Sequence, residues 1–333
     1  MIFEAFFFLF RRNKRYDKCS IINHRTLFFG KVAVKLGLSE VIGQLLAGIV
    51  LGMSFLNVVH STHLVHVLSE IGIFILMLSS GLASDMKTMK KYVKASSLIA
   101  IMGVVIPMIA FPIAFILMGY SVSVSLFSGI VFSATSISIT LAVLAEQKKL
   151  TSAVGAIILS AAIIDDVISL LAVTLFSVFI GNGGFNMSSL LPLIAFVIGI
   201  FLRKTLIADQ IFENTNRVGQ WIFYPMFFGS IGLNVSIRQL NNRIVAIVLF
   251  ILLAIITKFV GSWIGAKISG LNDTAAKAIG AGMVSRGEMA LVITQIGLSS
   301  QVISAAVSGE LILVIIFSTL IAPILMKPLF ANI

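Results

Sequence analysis

The sequence predicts an all-α polytopic membrane protein of about ten transmembrane helices, arranged as two inverted five-helix repeats that each contain a broken helix. Composition is the first observation behind this. Of 333 residues, 59% are hydrophobic and 11% are charged, where an average soluble domain carries about 25% charged residues. The second is that apolar runs long enough to cross a hydrocarbon core recur along the whole chain, with no soluble domain between them. The third is the placement of the basic residues. They gather in alternate connections, the cytoplasmic signature of a polytopic protein. The net charge of +11 is therefore a topology signal, and nucleic-acid binding is not expected.

Taken in order, residues 1–40 form a basic cytoplasmic or interfacial segment. Its opening run Phe3–Phe10 is apolar but short, and its charges follow it, the reverse of a secretory signal. Span A is placed at 41–59 and span B at 65–83, with Lys87, Lys90, Lys91 and Lys94 closing the latter. Span C covers 94–118. Span D, at 122–145, is interrupted by Ser133-Ala134-Thr135-Ser136 and followed by Lys148 and Lys149. Span E, at 152–180, carries Asp165 and Asp166, and the tight connection Gly181-Asn182-Gly183-Gly184 leads to the short span F at 188–203. Arg203, Lys204 and Arg217 precede span G at 218–236. Span H, at 243–268, carries Lys258. Span I, at 274–298, is interrupted by Ser285-Arg286-Gly287-Glu288, and span J runs over 302–326. The opposite set of connections holds only Arg238 and Arg243, which places both termini in the cytoplasm.

Ten spans with both ends on one side divide into 41–180 and 181–333. Five is odd, so the second set is inverted relative to the first, an arrangement that puts a binding site at the midplane between broken helices. The two polar interruptions fall in the fourth span of each set. Lipid cannot satisfy backbone groups freed by such breaks, so they belong in a protein-lined cavity.

Asp165 and Asp166 lie in an otherwise apolar span, where a carboxylate costs several kcal/mol unless it lines an ion pathway or finds a partner. Neighbours on a helix point about 100° apart, so one aspartate can face an aqueous cavity while the other faces a cation on another helix. Counting from span ends puts Asp165 about 20 Å deep, Lys258 about 15 Å, Arg286 and Glu288 about 18 and 21 Å, and Thr135 about 16 Å. Charged and polar groups from four spans thus share one slab. Lys258 is the natural partner for one aspartate. Arg286 and Glu288, two residues apart, do not face each other on a regular helix and read as structural polar groups of the broken segment. A carboxylate that binds either a proton or a metal cation is the minimal chemistry of an exchanger. Glu70 and Glu310 read as interfacial, near external helix ends, and the four histidines as solvated groups near or outside the membrane surfaces. The single Cys19 excludes an intrachain disulfide. No nucleophile–base set or cofactor loop is recognisable, so neither an enzyme nor a cofactor is expected.

The runs Val41 to Gly52, Ile164-Asp165-Asp166-Val167, Pro225 to Leu233 and Gly282 to Glu288 resemble the bacterial monovalent cation:proton antiporters of the NapA/NhaA and Kef type, from about Phe28 to the C-terminus. The resemblance implies a homodimeric, elevator-type antiporter whose core is made of spans C, D, E, H, I and J, with D and I crossing at their breaks. Asp166 would match the family's cation- and proton-binding aspartate, and Asp165 its neighbour, paired with Lys258 in a Lys-Phe-Val-Gly setting. Thr135 and Ser136 would match the polar break near the ion. The implied partners are Na+ or Li+, with K+ on the same scaffold as the alternative, together with protons and the lipid bilayer. An Asp-Asp pair with that lysine accompanies electrogenic exchange in the family. The chain departs from the pattern in two places. Two spans that link the repeats are missing around Gly181–Ser189, and a first span is reduced to the poorly apolar stretch before Leu36. A shortened, non-transporting membrane protein or partner subunit is the reading from another class.

Overall fold

The computed structural model describes residues 14–52, 54–59, 62–84, 86–179, 187–235 and 243–331. Phe3–Phe10, His60, the 181–184 connection and Arg238 lie outside the described residues. Among those described there is no strand, and the helices are α1 Lys14–Lys35, α2 Glu40–Leu51, α3 His63–Ala83, α4 Met86–Leu117, α5 Val122–Ser133, α6 Ile137–Glu146 and α7 Ala153–Phe179. They continue as α8 Met187–Leu202, α9 Ala208–Val218, a π-helical turn Gly219–Phe223, α10 Tyr224–Leu233, α11 Ile244–Ile268, α12 Asp273–Gly282, α13 Glu288–Ser299 and α14 Ala305–Phe330.

Each of the ten predicted spans coincides with a helix or a pair of helices. Six described segments are long and apolar enough to cross a membrane: α3, the Lys90–Leu117 part of α4, the α5–α6 pair, α7, α11 and α14. Spans A, F, G and I are built from shorter pieces. Span A ends early, at Leu51, because Gly52 and a left-handed Asn57 (φ 51°) turn the chain back. Two helices have no counterpart in the sequence reading. The basic stretch before Leu36 forms the 22-residue α1, and the F–G loop contains the amphipathic α9. Neither is apolar enough to register as a span.

The chain divides into two compact units. One comprises Met1–Ala83 with Ile194–Gln239, the other Ser84–Leu193 with Leu240–Ile333. In the first unit α1 packs on α10 so closely that a Cβ on Gly229 would lie 2.6 Å from Thr26 Cγ2. Ile22, Leu51, Leu68, Met226 and Leu233 form its buried core. The second unit holds α4 to α7 and α11 to α14, the helices of predicted spans C, D, E, H, I and J. Its centre is the α4–α11 contact. A Cβ on Gly261 would stand 2.5 Å from the Met102 carbonyl, and one on Gly265 2.6 Å from that of Leu98. Small residues let membrane helices approach this closely, and the approach brings Lys258, between the two helices, over the end of α5.

Candidate functional site

Two helix breaks build the site. The Ser-Ala-Thr-Ser run offers the backbone side-chain alternatives to the helical ladder, and α5 gives way to extended residues at Ala134 and Ser136 before α6 starts. The second break separates α12 from α13 at 283–287. The two non-helical segments cross and satisfy each other. Ser136 N donates to the Ser285 carbonyl at 2.8 Å, and Ser285 Oγ donates back to the Ser136 carbonyl at 2.8 Å. Thr140 Oγ1 donates to the Gly282 carbonyl at 2.7 Å and lies 3.0 Å from Ser285 Oγ. Backbone groups that lipid would leave unpaired are thereby closed within the protein.

Gly287 makes the crossing possible. Its φ of −167° is extended backbone open to any residue, yet a Cβ there would lie 2.6 Å from Ser136 Oγ and 2.8 Å from Ser136 Cβ. Gly287→Ala is therefore expected to lower the melting temperature in detergent by a few degrees, as overpacking of about 1–3 kcal/mol does. In a Ser136→Gly background the penalty should shrink. An equal loss in both backgrounds would place its cause elsewhere.

Four half-helices point their ends at the crossing. Helix C-termini carry partial negative charge and N-termini partial positive charge, and the charged side chains are sorted accordingly. Arg286, fully buried, donates to the Phe132 carbonyl, to the Ala134 carbonyl at 3.4 Å and to the Ala254 carbonyl at 2.6 Å. Lys258, also fully buried, donates to the Ser133 carbonyl. Both cations thus cover the C-terminal end of α5. Glu288 opens α13 and accepts from Ser136 Oγ at 3.0 Å and Ser138 Oγ at 2.5 Å, beside the N-terminus of α6. Arg286 and Glu288 engage the opposite broken helix rather than each other.

Both aspartates are buried on α7, but their surroundings differ. Asp165 is paired with Lys258, whose Nζ lies 3.0 Å from each carboxylate oxygen, and it accepts from Thr135 Oγ1. Asp166 is 3% exposed, and its Oδ1 has no hydrogen-bonding partner among the described residues. The structure thus brings Asp165, Lys258, Thr135, Ser133 and Arg286 into one network, with Asp166 next in sequence and Ser136 bonded to Glu288 at the crossing. Sequence reasoning missed Ser138, Thr140 and Thr319, which donates to the Arg286 carbonyl. Hydroxyls in apolar helices carry no signal of their own. Missed too was the burial of Glu310. Read as interfacial, it is 3% exposed and held by Tyr120 and Arg243. Its partners come from other elements that cover it, so its shallow position in α14 does not bring it to the surface. Glu70 is exposed and sits 3.5 Å from His66.

The family model described as sodium/hydrogen exchanger, transmembrane, matches residues 25–201 and 191–332. A Na+/H+ antiporter of Enterococcus hirae is 32% identical, over 89% of this chain and 93% of its own. The Na+/H+-K+ antiporter GerN of Bacillus cereus is 26% identical, over 98% and 96%. Among solved structures, the sodium proton antiporter MjNhaP1 of Methanocaldococcus jannaschii superimposes with a TM-score of 0.72 at 14% identity, covering 94% of this chain and 96% of that one. That likeness concerns the fold.

Proposed function

The chain belongs to the sodium/hydrogen exchanger family, and we propose that it is an antiporter in which a monovalent cation, Na+ or Li+, and protons compete for Asp166. It is a membrane protein and exchanges cation for proton. The observation that carries the assignment to Asp166 is the contrast between adjacent carboxylates. Asp165 is neutralised by Lys258 and hydrogen-bonded by Thr135, whereas Asp166 keeps a buried oxygen without a protein donor among the described residues. A bare buried anion is costly, so such a group takes up either a proton or a metal cation to offset its charge. Occupation by one excludes the other, which couples their movement. In this reading Thr135 and Ser136, at the α5–α6 break, would supply further oxygens to the ion. Asp165 and Lys258 form the charge partner pair, and Arg286 and Glu288 hold the broken helices.

One proton exchanged for one cation at Asp166 moves no net charge, so the proposed electrogenic exchange requires a second proton per cycle, which the adjoining Asp165–Lys258 pair would carry by releasing the Lys258 proton when the cation binds. The protein works as a homodimer in the bacterial inner membrane, with both termini cytoplasmic and residues 41–180 and 181–333 as inverted repeats behind a basic segment 1–40. The potassium reading rests on GerN, whose name includes K+. Proteoliposomes loaded with a pH-sensitive dye test these points together. Proton flux is expected on adding Na+ or Li+, and it should respond to an imposed membrane potential. Flux with K+ alone would favour the potassium reading. Absence of flux with all three ions would sink the exchange reading in favour of a non-transporting chain.

A further inference from the structure

A second buried carboxylate lies in the unit that carries the site. Glu310, in the second turn of α14, is 3% exposed. Tyr120, in the turn between α4 and α5, donates its hydroxyl to Oε2, and Arg243 Nε, immediately before α11, lies 3.3 Å from Oε1. The Arg243 guanidinium also covers the Tyr120 ring at 4.9 Å. Two chain connections and the start of α14 are thus fastened at one point. Burial and the Glu310 hydrogen bond and charge push the Tyr120 phenol above its ordinary value, with Arg243 opposing. Tyr120 therefore stays protonated and remains a donor at physiological pH. Arg243 and Tyr120 are the charged and titratable groups facing Glu310 among the described residues.

This clasp is joined to the ion site by rigid material. Tyr120 packs on Phe115 at 4.7 Å between centroids, Phe115 stacks on Phe250 at 4.3 Å, and both lie 6.3 Å from Phe111. Phe111 stacks on Phe132 at 4.1 Å, and the Phe132 ring is 5.5 Å from the Arg286 guanidinium. The phenylalanines are fully or almost fully buried. A second link is α11 itself. Arg243 stands at its N-terminal edge, and the same helix then supplies Phe250, the Ala254 carbonyl bonded by Arg286, and Lys258. From Arg243 to Lys258 is about 22 Å of continuous helix, so the clasp sets the axial position of Lys258 against Asp165.

We propose that Glu310, with Arg243 and Tyr120, is a positioning centre of the exchanger that fixes α11 and the phenylalanine column, and through them the Lys258 and Arg286 side of the cation site. Nothing in the cluster touches the transported ion; it acts through the groups that do. The proposal rests on the reading of Asp166 and its neighbours as the cation site, and two readouts keep the two apart. Flux that is lost in Asp166→Asn tests that reading alone. The clasp is tested by sodium affinity, read both as KM for flux and as the sodium dependence of the melting temperature, which needs no transport.

Glu310→Gln and Arg243→Gln are each expected to raise the sodium half-saturation by about three- to tenfold and to displace the pH profile of flux, a coupling of the size seen along packed networks. The double variant should be no worse than the worse single, because the two groups act as one. Arg243→Lys should recover part of the effect. Glu146→Gln, which breaks an exposed pair with Lys327 in the same unit, should leave affinity unchanged. If Glu310→Gln does not fold, the half-exposed Arg243 and the Tyr120→Phe variant carry the test. Variants that melt earlier but keep wild-type sodium affinity and pH profile would overturn the proposal and leave a structural staple.

Discussion

Asp166→Asn is expected to reduce cation-driven proton flux to background while leaving the protein as stable as wild type or slightly more so. Both halves of that result follow from one feature of the structure. Oδ1 of Asp166 has no protein donor among the described residues, so no hydrogen bond to it is broken by the change. Removing a buried charge without a partner is neutral or favourable. Asparagine keeps the shape but has no charge to be neutralised, and it neither releases a proton nor attracts a cation in its place. The measurement is dye-reported flux in proteoliposomes beside a melting curve in detergent. Asp165→Asn is the internal control. It should destabilise, because it leaves the Lys258 ammonium buried without its paired anion, among neutral acceptors such as the Ser133 carbonyl. Flux that survives in Asp166→Asn would move the carrier role elsewhere. Unchanged stability in Asp165→Asn would show that the ion pair contributes little.

How far the sequence disclosed this architecture depends on the price of each feature in lipid. Long apolar runs have no other stable use, so α3, α4, α7, α11 and α14 were legible within a few residues at most boundaries. Buried charges are as costly as apolar runs are common, and depth counting gathered Asp165, Asp166, Lys258, Arg286 and Glu288 at one level. The interruptions read at 133–136 and 285–288 were legible for the same reason, since polar runs in a span demand satisfied backbone, and the helices break at 134–136 and 283–287. What remained hidden was whatever carries no such cost. Helix α1 buries Ile22, Thr26 and Ala33 along one face, but its basic residues dilute the pattern below that of a span. Helix α9 reads as a loop because its apolar residues are few.

The partners inside the site were hidden for a different reason. Arg286 bonds the carbonyls of Phe132, Ala134 and Ala254, and a backbone acceptor has no signature in sequence. The pairing becomes intelligible only once the half-helices are in place. Guanidinium and ammonium groups sit at the exposed carbonyl end of α5, and the Glu288 carboxylate sits at the amide ends of α6 and α13. Each charge then offsets a helix terminus, and the crossing is neutralised locally before any ion arrives. Glu310 illustrates the limit of depth counting. Distance along a helix gives the level in the membrane but says nothing of which neighbours cover the side chain.

Lys258→Met is the second large effect. The lysine is 0% exposed, so its ammonium does not reach water along its stem. Its removal leaves Asp165 as a buried anion with Thr135 as its remaining side-chain donor among the described residues, and it strips the Ser133 carbonyl of its cation. Breaking a buried ion pair from one side costs about 3–5 kcal/mol, so the melting temperature should fall by the order of 10 °C. Removing both charges is a different matter. In Lys258→Met with Asp165→Asn the neutral amide still accepts from Thr135, and neither member of the pair is left as an uncompensated charge, so more than half of the lost stability should return. The coupling between the two changes, measured as a double-mutant cycle, then separates a true pair from two independently tolerated charges. A double variant as unstable as Lys258→Met alone would mean that the lysine supports the crossing through the Ser133 carbonyl rather than through Asp165. In that event α5 would shift at its C-terminal end, and the Arg286 contacts to Phe132 and Ala134 would weaken with it. Flux is the discriminating readout between these outcomes. With the pair absent on both sides Asp166 stands intact, and sodium-dependent proton movement should persist at reduced affinity, whereas a displaced α5 would carry Thr135 and Ser136 away from the cation and abolish it.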